Sequence, residues 1–267
     1  MLNAYGRLYP HEFASYFEPF LGGAAVFFDL HNKGRISKAT LSDSNADLIN
    51  CYVVIRDNLH QLVTKLEALQ KLSMDENFYY KVARSRFNSI RLKDPEEGNL
   101  EKAALLIYLN KTCYNGLYRV NKKGEFNVPW GKYRNPHLMD KTNLIEISHI
   151  LNEDGVSLRW SDYKDIASRI KADDFVYFDP PYHPTSSTAS FTAYTPGDFG
   201  LEEQKKLAES FDSLDRKGAM LMLSNSPKAS QYYEDKGYTI HRLKAVRAIS
   251  SIGSKRGPVE EILVTNY

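Results

Sequence analysis

Asp174-Phe175-Val176-Tyr177-Phe178-Asp179-Pro180-Pro181-Tyr182 decides the reading of this chain. Phe175 to Phe178 are β-formers in an unbroken apolar run, the pattern of a strand buried on both faces. Two prolines then remove two backbone donors and fix two φ angles, so the strand must stop at Asp179. A rigid turn at the carboxyl end of a strand is where open α/β sheets place their ligands. This turn offers one carboxylate, carbonyls without neighbouring N–H groups, and the face of Tyr182. Those groups suit a flat ring with an exocyclic amino group, giving two acceptors for its N–H bonds and a surface for stacking. A proline-ended strand with an incidental Asp and Tyr is the bland alternative, and the rest of the chain must separate the two.

Working outward, the chain has 267 residues, 42% hydrophobic and 25% charged, the composition of a globular protein with one large α/β domain and an insertion, or two modest domains. No apolar run approaches the ~18 residues of a membrane span. The N-terminal residues lack the apolar segment of a signal peptide. Cys51 and Cys113 are too few for a disulfide framework, and neither they nor the seven histidines have metal-ligand spacing, so no metal is expected. These features predict a cytoplasmic protein with reduced thiols. A net charge of +2 does not by itself announce a nucleic-acid partner.

Upstream, Tyr16-Phe17-Glu18-Pro19-Phe20 reads as a short strand, followed by Leu21-Gly22-Gly23-Ala24-Ala25 and an apolar run. Strand, glycine turn and helix is the layout that lets backbone approach a nucleotide-like ligand, although a plain tight turn has the same pattern. The next strand, 39–42, ends in Asp43, about 20 residues after the glycine turn, where an acid can take ribose hydroxyls. Helix capping is the competing role for Asp43, Ser44 and Asn45. Helical periodicity runs through 59–72, 75–92 and 99–112 without an alternating strand, predicting a helical insertion over 58–140 between catalytic-domain segments 1–57 and 141–267. Residues 111–134 hold six bases and one acid among five aromatics, with a hairpin tip at Lys122-Lys123-Gly124. Bases neutralise phosphates and aromatics stack or wedge, so this stretch is a candidate nucleic-acid surface, with a solvated basic loop as its alternative. Beyond 140, helices are expected at 142–152, 201–216 and up to Lys236, and strands at 155–160, 219–224, 238–243 and 261–265. The Ser/Thr/Pro-rich loop 183–197 is a candidate lid, and 242–256, with five bases and no acid, a second phosphate-tracking stretch.

Glu18-Pro19-Phe20-Leu21-Gly22-Gly23, Tyr114-Asn115-Gly116-Leu117-Tyr118-Arg119, Gly124-Glu125-Phe126-Asn127-Val128-Pro129, Asp179-Pro180-Pro181-Tyr182, Phe191-Thr192-Ala193-Tyr194 and Leu223-Ser224-Asn225 occur in that order. The chain thereby resembles the Dam family, D12-class DNA N6-adenine methyltransferases of the GATC type, from Tyr16 to Tyr267. The resemblance implies a Rossmann-like α/β methyltransferase fold with a helical target-recognition insertion, S-adenosylmethionine as cofactor and double-stranded DNA as partner. It implies Asp179, Pro180 and Tyr182 as catalytic residues, and Phe20, Gly22, Asp43, Asp162, Tyr163 and Asp179 around the cofactor. It implies Tyr114, Asn115, Leu117, Arg119, Asn121 and Pro129 at the DNA, with Arg119 facing guanine and Tyr114 wedged into the stack. Monomeric action and pairing with a restriction endonuclease are further expectations. Members usually carry a Gly-Gly-Lys run ahead of the first strand, which this sequence lacks, so a DNA-binding relative with weakened catalysis stays open as an alternative. An N4-cytosine enzyme shares the chemistry but usually places Ser ahead of Pro-Pro. Cys113 sits in Thr-Cys-Tyr, not in the Pro-Cys of cytosine-C5 enzymes, and is read as structural.

Overall fold

The computed structural model describes residues 2–182, 199–246 and 258–267. The loop 183–197, with Phe191 to Tyr194, and the bases Arg247, Lys255 and Arg256 lie outside the described residues, as does the Lys244 side chain. The strands are β1 (Tyr16–Glu18), β2 (Ala39–Asp43), β3 (Val156–Trp160), β4 (Phe175–Phe178), β5 (Met220–Asn225), β6 (Thr239–Val246) and β7 (Pro258–Thr265). The α-helices are α1 (Leu2–Tyr5), α2 (Ala25–Asn32), α3 (Ala46–Asp57), α4 (Leu59–Gln70), α5 (Ser85–Ser89), α6 (Leu100–Thr112), α7 (Lys141–Leu151), α8 (Tyr163–Ile166) and α9 (Leu201–Asp215). The described residues form two compact units, one of residues up to 44, 161–182 and from 199 onward, the other of 45–160.

Among the described residues, six strands of the first unit form a sheet in the order β2-β1-β4-β5-β7-β6. β1 pairs with β2 and β4 in parallel, and β4 with β5 in parallel, while β7 runs antiparallel to β5 and β6. This is a Rossmann-like α/β sheet whose far edge is closed by an antiparallel hairpin. Strand alternation divides the core. Phe17, Val176, Phe178, Leu221 and Leu223 share one cluster with Leu207, Ala208, Phe211 and Leu214, which recur at helical spacing on α9. On the other face, Tyr16 stacks on Phe27 of α2 at 6.4 Å, and Tyr177 meets Tyr5 of α1 at 6.2 Å. All four side chains of β4 are buried, which explains its continuous apolar run.

The helix expected up to Lys236 is instead two 3-10 turns, Pro227–Tyr232 and Glu234–Lys236. Tyr233 between them leaves helical geometry, and its ring is fully buried against Phe211 and Tyr238. Burial of one large aromatic there outweighs continuation of a short helix.

The second unit is helical, with β3 its strand, and it is wider than the expected 58–140 insertion because α3, α7 and β3 pack within it. Asn45 caps α3 by accepting from the N–H groups of Asp47 and Leu48. The stretch 75–92 contains a π-helical segment, Phe78–Arg84, running into α5. No helix among the described residues is long and apolar enough to cross a membrane.

Candidate active site

In the first unit, β1 ends at Glu18 and the chain turns sharply before α2. Gly22 and Ala24 both take positive φ, 46° and 54°. The Gly22 N–H donates to Asp43 Oδ2 at 3.1 Å, so the expected ribose acid also pins the glycine turn. A side chain at Gly22 or Gly23 would meet nothing within 4 Å, so the backbone borders open space there. Ala24 gives α2 no side-chain cap, and the Phe27 N–H of its first turn is taken by Glu18 instead. Phe20 stacks on Tyr163 at 5.3 Å. Asp162 caps α8 by accepting from Lys164 N–H at 2.9 Å, and its side chain lies at the surface.

Glu18 is almost wholly buried. Its Oε2 accepts from the Tyr16 hydroxyl at 2.8 Å and the Phe27 N–H at 3.2 Å. Burial pushes its carboxyl up to about 8 against the pull of the Tyr16 bond, and the Asp179 charge adds to the rise. In the sequence Glu18 stands only as the first residue of the Glu18-to-Gly23 landmark, with no role of its own.

Asp179 follows β4, with Pro180 buried and Pro181 and Tyr182 half-buried behind it. Asp179 is exposed as a residue, while its carboxyl group is closely surrounded by protein atoms. Burial pushes it up to about 6, the Ser224 hydrogen bond lowers it, and Glu261 raises it. The hydroxyl of Ser224, on β5, donates to Asp179 Oδ1 at 2.5 Å, and the Tyr177 hydroxyl donates to Ser224 Oγ at 3.1 Å. The turn itself is held from outside: Gln204 on α9 donates to the Pro181 carbonyl at 2.8 Å and accepts from Asn225 at 3.0 Å. Such a carboxylate can accept from an amino group while it stays ionised above pH about 6. Phe20, Gly22, Asp43, Asp179, Pro180 and Tyr182 thus fall in the first unit along the carboxyl ends of β1, β2 and β4, and Asp162 and Tyr163, at the start of α8, belong to the same unit.

The second unit holds the other candidates on a turn and hairpin after α6. Tyr114 N–H donates to the Pro129 carbonyl at 2.8 Å, and bridges join Cys113 to Trp130 and Val120 to Phe126. Asn115 takes φ 55°, with its N–H on the Tyr133 hydroxyl at 3.0 Å, while 42% of the Tyr114 surface stays exposed. Arg119 donates through Nε to Asn127 Oδ1 at 2.7 Å and through Nη2 to the Asn127 carbonyl at 3.3 Å, which orients its guanidinium. Asn121 serves the hairpin tip: its Oδ1 accepts from Lys123 and Glu125 N–H, and its Nδ2 donates to Glu125 Oε2. Leu117 and Arg119 are half-buried and Pro129 is exposed. Lys111, Lys122, Lys123, Lys132 and Arg134 are exposed, an arrangement open to phosphates. Cys113 is buried with its thiol on the Leu117 carbonyl, and burial pushes its pKa up to about 11, so it is no nucleophile at neutral pH. Among the described residues no group of His, Cys, Asp or Glu could hold a metal ion.

Residues 5–249 match the model of the D12 class N6 adenine-specific DNA methyltransferases. The chain is 44% identical to the type II methyltransferase M.MjaIII of Methanocaldococcus jannaschii, over 94% of this chain and 88% of that protein. It is 41% identical to the type II methyltransferase M1.LlaDCHI of Lactococcus lactis subsp. cremoris, over 97% and 89%. The DNA adenine methylase of Escherichia coli K12 is 34% identical over 92% and 84%. Taken with the carboxylate-proline turn at the end of β4, these matches identify the chain as a member of the D12 class of N6 adenine-specific DNA methyltransferases.

Proposed function

We propose that the protein transfers a methyl group from S-adenosylmethionine to the N6 amino nitrogen of adenine within GATC in duplex DNA. The observation that carries the reading is Asp179, directed by Ser224 at the end of β4 and followed directly by Pro180, Pro181 and Tyr182.

The cofactor fits the residues present. Open space over Gly22 and Gly23 and the carboxylate of Asp43 suit a ligand with hydroxyls and a ribose. Phe20, Gly22 and Asp43 would hold its methionine and ribose parts, and Asp162 and Tyr163 would flank its adenine. When bound, it supplies an electrophilic methyl group. The amino nitrogen of adenine is a poor nucleophile because its lone pair is delocalised into the ring. Asp179 and the Pro180 carbonyl accept its two N–H bonds, which draws the nitrogen toward tetrahedral geometry and frees the lone pair. Acceptors that need no reorientation strengthen this effect. Adenine inside a duplex is out of reach, so the base is extruded and stacks on Tyr182.

In the second unit, Arg119 reads guanine, Tyr114 enters the base stack, and Asn115, Leu117 and Pro129 line the base-reading surface. Asn121 acts indirectly, by shaping the hairpin. A role beside a restriction endonuclease and action as a monomer are further parts of this proposal.

The test is transfer of tritiated methyl from S-adenosylmethionine to a short GATC duplex, with a GTTC duplex and Asp179→Ala as controls. Label on GATC that is lost in both controls is expected. Label on both duplexes would sink the assigned target, and undiminished label with Asp179→Ala would sink the assigned carboxylate. GATC binding without label would favour the DNA-binding relative.

A further inference from the structure

Strand geometry places Tyr177 and Asp179 on one face of the sheet, two residues apart, turned away from the α9 cluster that holds Val176 and Phe178. The β4–β5 register pairs Tyr177 with Met222 and Phe178 with Leu223, so Ser224 comes level with Asp179. Three hydroxyl or carboxyl groups on adjacent strands therefore line up by register alone.

The order of protons in this line is determined by chemistry. Tyr177 is 3% exposed, and burial holds its phenol well above its ordinary pKa, with the Asp179 charge acting the same way. Its hydroxyl is thus always a donor, and at 3.1 Å it donates to Ser224 Oγ. Ser224 is itself fully buried and has one proton to give. Asp179 Oδ1, at 2.5 Å, is the shortest contact, with the Phe178 carbonyl at 3.4 Å and the Tyr182 hydroxyl also within reach. With a lone pair of Oγ occupied by Tyr177, the Ser224 proton has fewer orientations and points along the shorter contact. Hydrogen bonds in series also polarise one another, strengthening the last.

We propose that Tyr177 is a positioning residue that directs the Ser224 hydroxyl onto Asp179 and so keeps this carboxylate an acceptor; this rests on the catalytic role assigned to Asp179 above. The surroundings make such a device necessary. Tyr5 of α1, Glu18 of β1, Tyr182 beyond β4 and Glu261 of β7 are the other titratable groups around Asp179. Burial and the Glu261 charge both disfavour its ionised form, and the Ser224 hydrogen bond opposes them. Glu261 is buried, with the Tyr5 hydroxyl 3.5 Å from its Oε2.

The test measures the single-turnover methyl-transfer rate on a GATC duplex from pH 5.5 to 8.5 for wild type, Tyr177→Phe, Ser224→Ala and the double variant. Wild type is expected to lose rate below pH about 6. Loss of a hydrogen bond to a charged group should carry the Ser224→Ala limb about one pH unit higher. Tyr177→Phe should move it roughly half as far, with near wild-type rate at pH 8.5, and the double variant should match Ser224→Ala because both act on one chain. In parallel, carbon NMR of labelled aspartate, assigned with Asp179→Asn, titrates the carboxyl directly in each protein and needs no activity. A Tyr177→Phe titration that coincides with wild type, or effects that add in the double variant, would overturn the proposal. The same NMR shift without Asp179-dependent transfer would uphold the hydrogen-bond chain and reject the function assigned to the site. Urea melts establish that each variant is folded, and Ser224→Ala reads the same chain from its other end if Tyr177→Phe is not.

Discussion

Asp47→Asn is a near-isosteric change whose cost can be worked from the second unit. Lys102, on α6, is only 4% exposed, yet it carries an ammonium. That group lies 3.3 Å from Asp47 Oδ1, donates to the Phe87 and Ile90 carbonyls at 2.9 and 3.0 Å, and sits 4.0 Å from the Phe87 ring centre. The other Asp47 oxygen accepts from the Tyr118 hydroxyl at 3.0 Å, so one carboxylate ties α3 to α6 and to the hairpin after α6. Burial lowers the Lys102 pKa and Asp47 holds it up. Removing one partner of a buried pair costs about 3–5 kcal/mol. Two carbonyls and an aromatic face remain, and the Asp47 side chain is 17% exposed, which favours the lower end, about 3 kcal/mol. In urea, with a slope of roughly 2–3 kcal/mol per molar, the midpoint should fall by about 1 M. The decisive comparison is with Lys102→Met in the same background. The double variant leaves no unpaired buried ammonium and should be more stable than Asp47→Asn alone, by on the order of 1 kcal/mol. The deficit of Asp47→Asn should also shrink as pH rises above the lowered Lys102 pKa, because the folded state then loses its proton before the unfolded chain does. A loss below about 0.5 kcal/mol, or additive single effects, would refute the reasoning.

Glu18→Gln should flatten the pH dependence of stability. The folded pKa of about 8 exceeds the usual 4.5, so the contribution of Glu18 is full below 4.5 and is lost as pH rises through 8. Urea midpoints at pH 5 and 8 should diverge less in the variant, and an unchanged divergence would reject the buried protonated acid. Asp43→Ala removes the acceptor of the Gly22 N–H and should raise KM for S-adenosylmethionine by about tenfold or more, roughly 1.4 kcal/mol, while DNA binding persists. Arg119→Lys keeps the charge but loses the oriented fork, so the kcat/KM ratio of GATC over AATC should fall about 10- to 100-fold. In Gly131→Ala the new Cβ would lie 2.6 Å from the Cys113 carbonyl oxygen, so the turn must shift and the bond from Gly131 N–H to Thr112 must weaken. A loss of about 1–3 kcal/mol is expected, with target discrimination falling before cofactor binding.

What the chain determined by itself was local. A buried apolar run ended by two prolines, a glycine turn before a helix, and an acid at a strand end each depend on neighbours in sequence, through φ restriction and lost donors. β1, β2, β4 and β5 and the turns after them were therefore readable, as were the cap at Asn45 and the hairpin tip at 122–124. The order of landmark motifs carried the family. Roles created by long-range approach were not readable. Ser224 reaches Asp179 across 45 positions, Lys102 reaches Asp47 across 55, and Asn88 holds the Phe126 backbone across 38. Glu18 became a buried, proton-holding acid only when α2 folded over it, and Tyr233 broke a helix because the core had room for its ring. That Asn121 also holds the hairpin tip, through its amide oxygen, emerged only from the folded backbone. Backbone preference is settled within a few residues, whereas desolvation, charge and proton placement depend on which distant groups tertiary packing brings within about 3 Å.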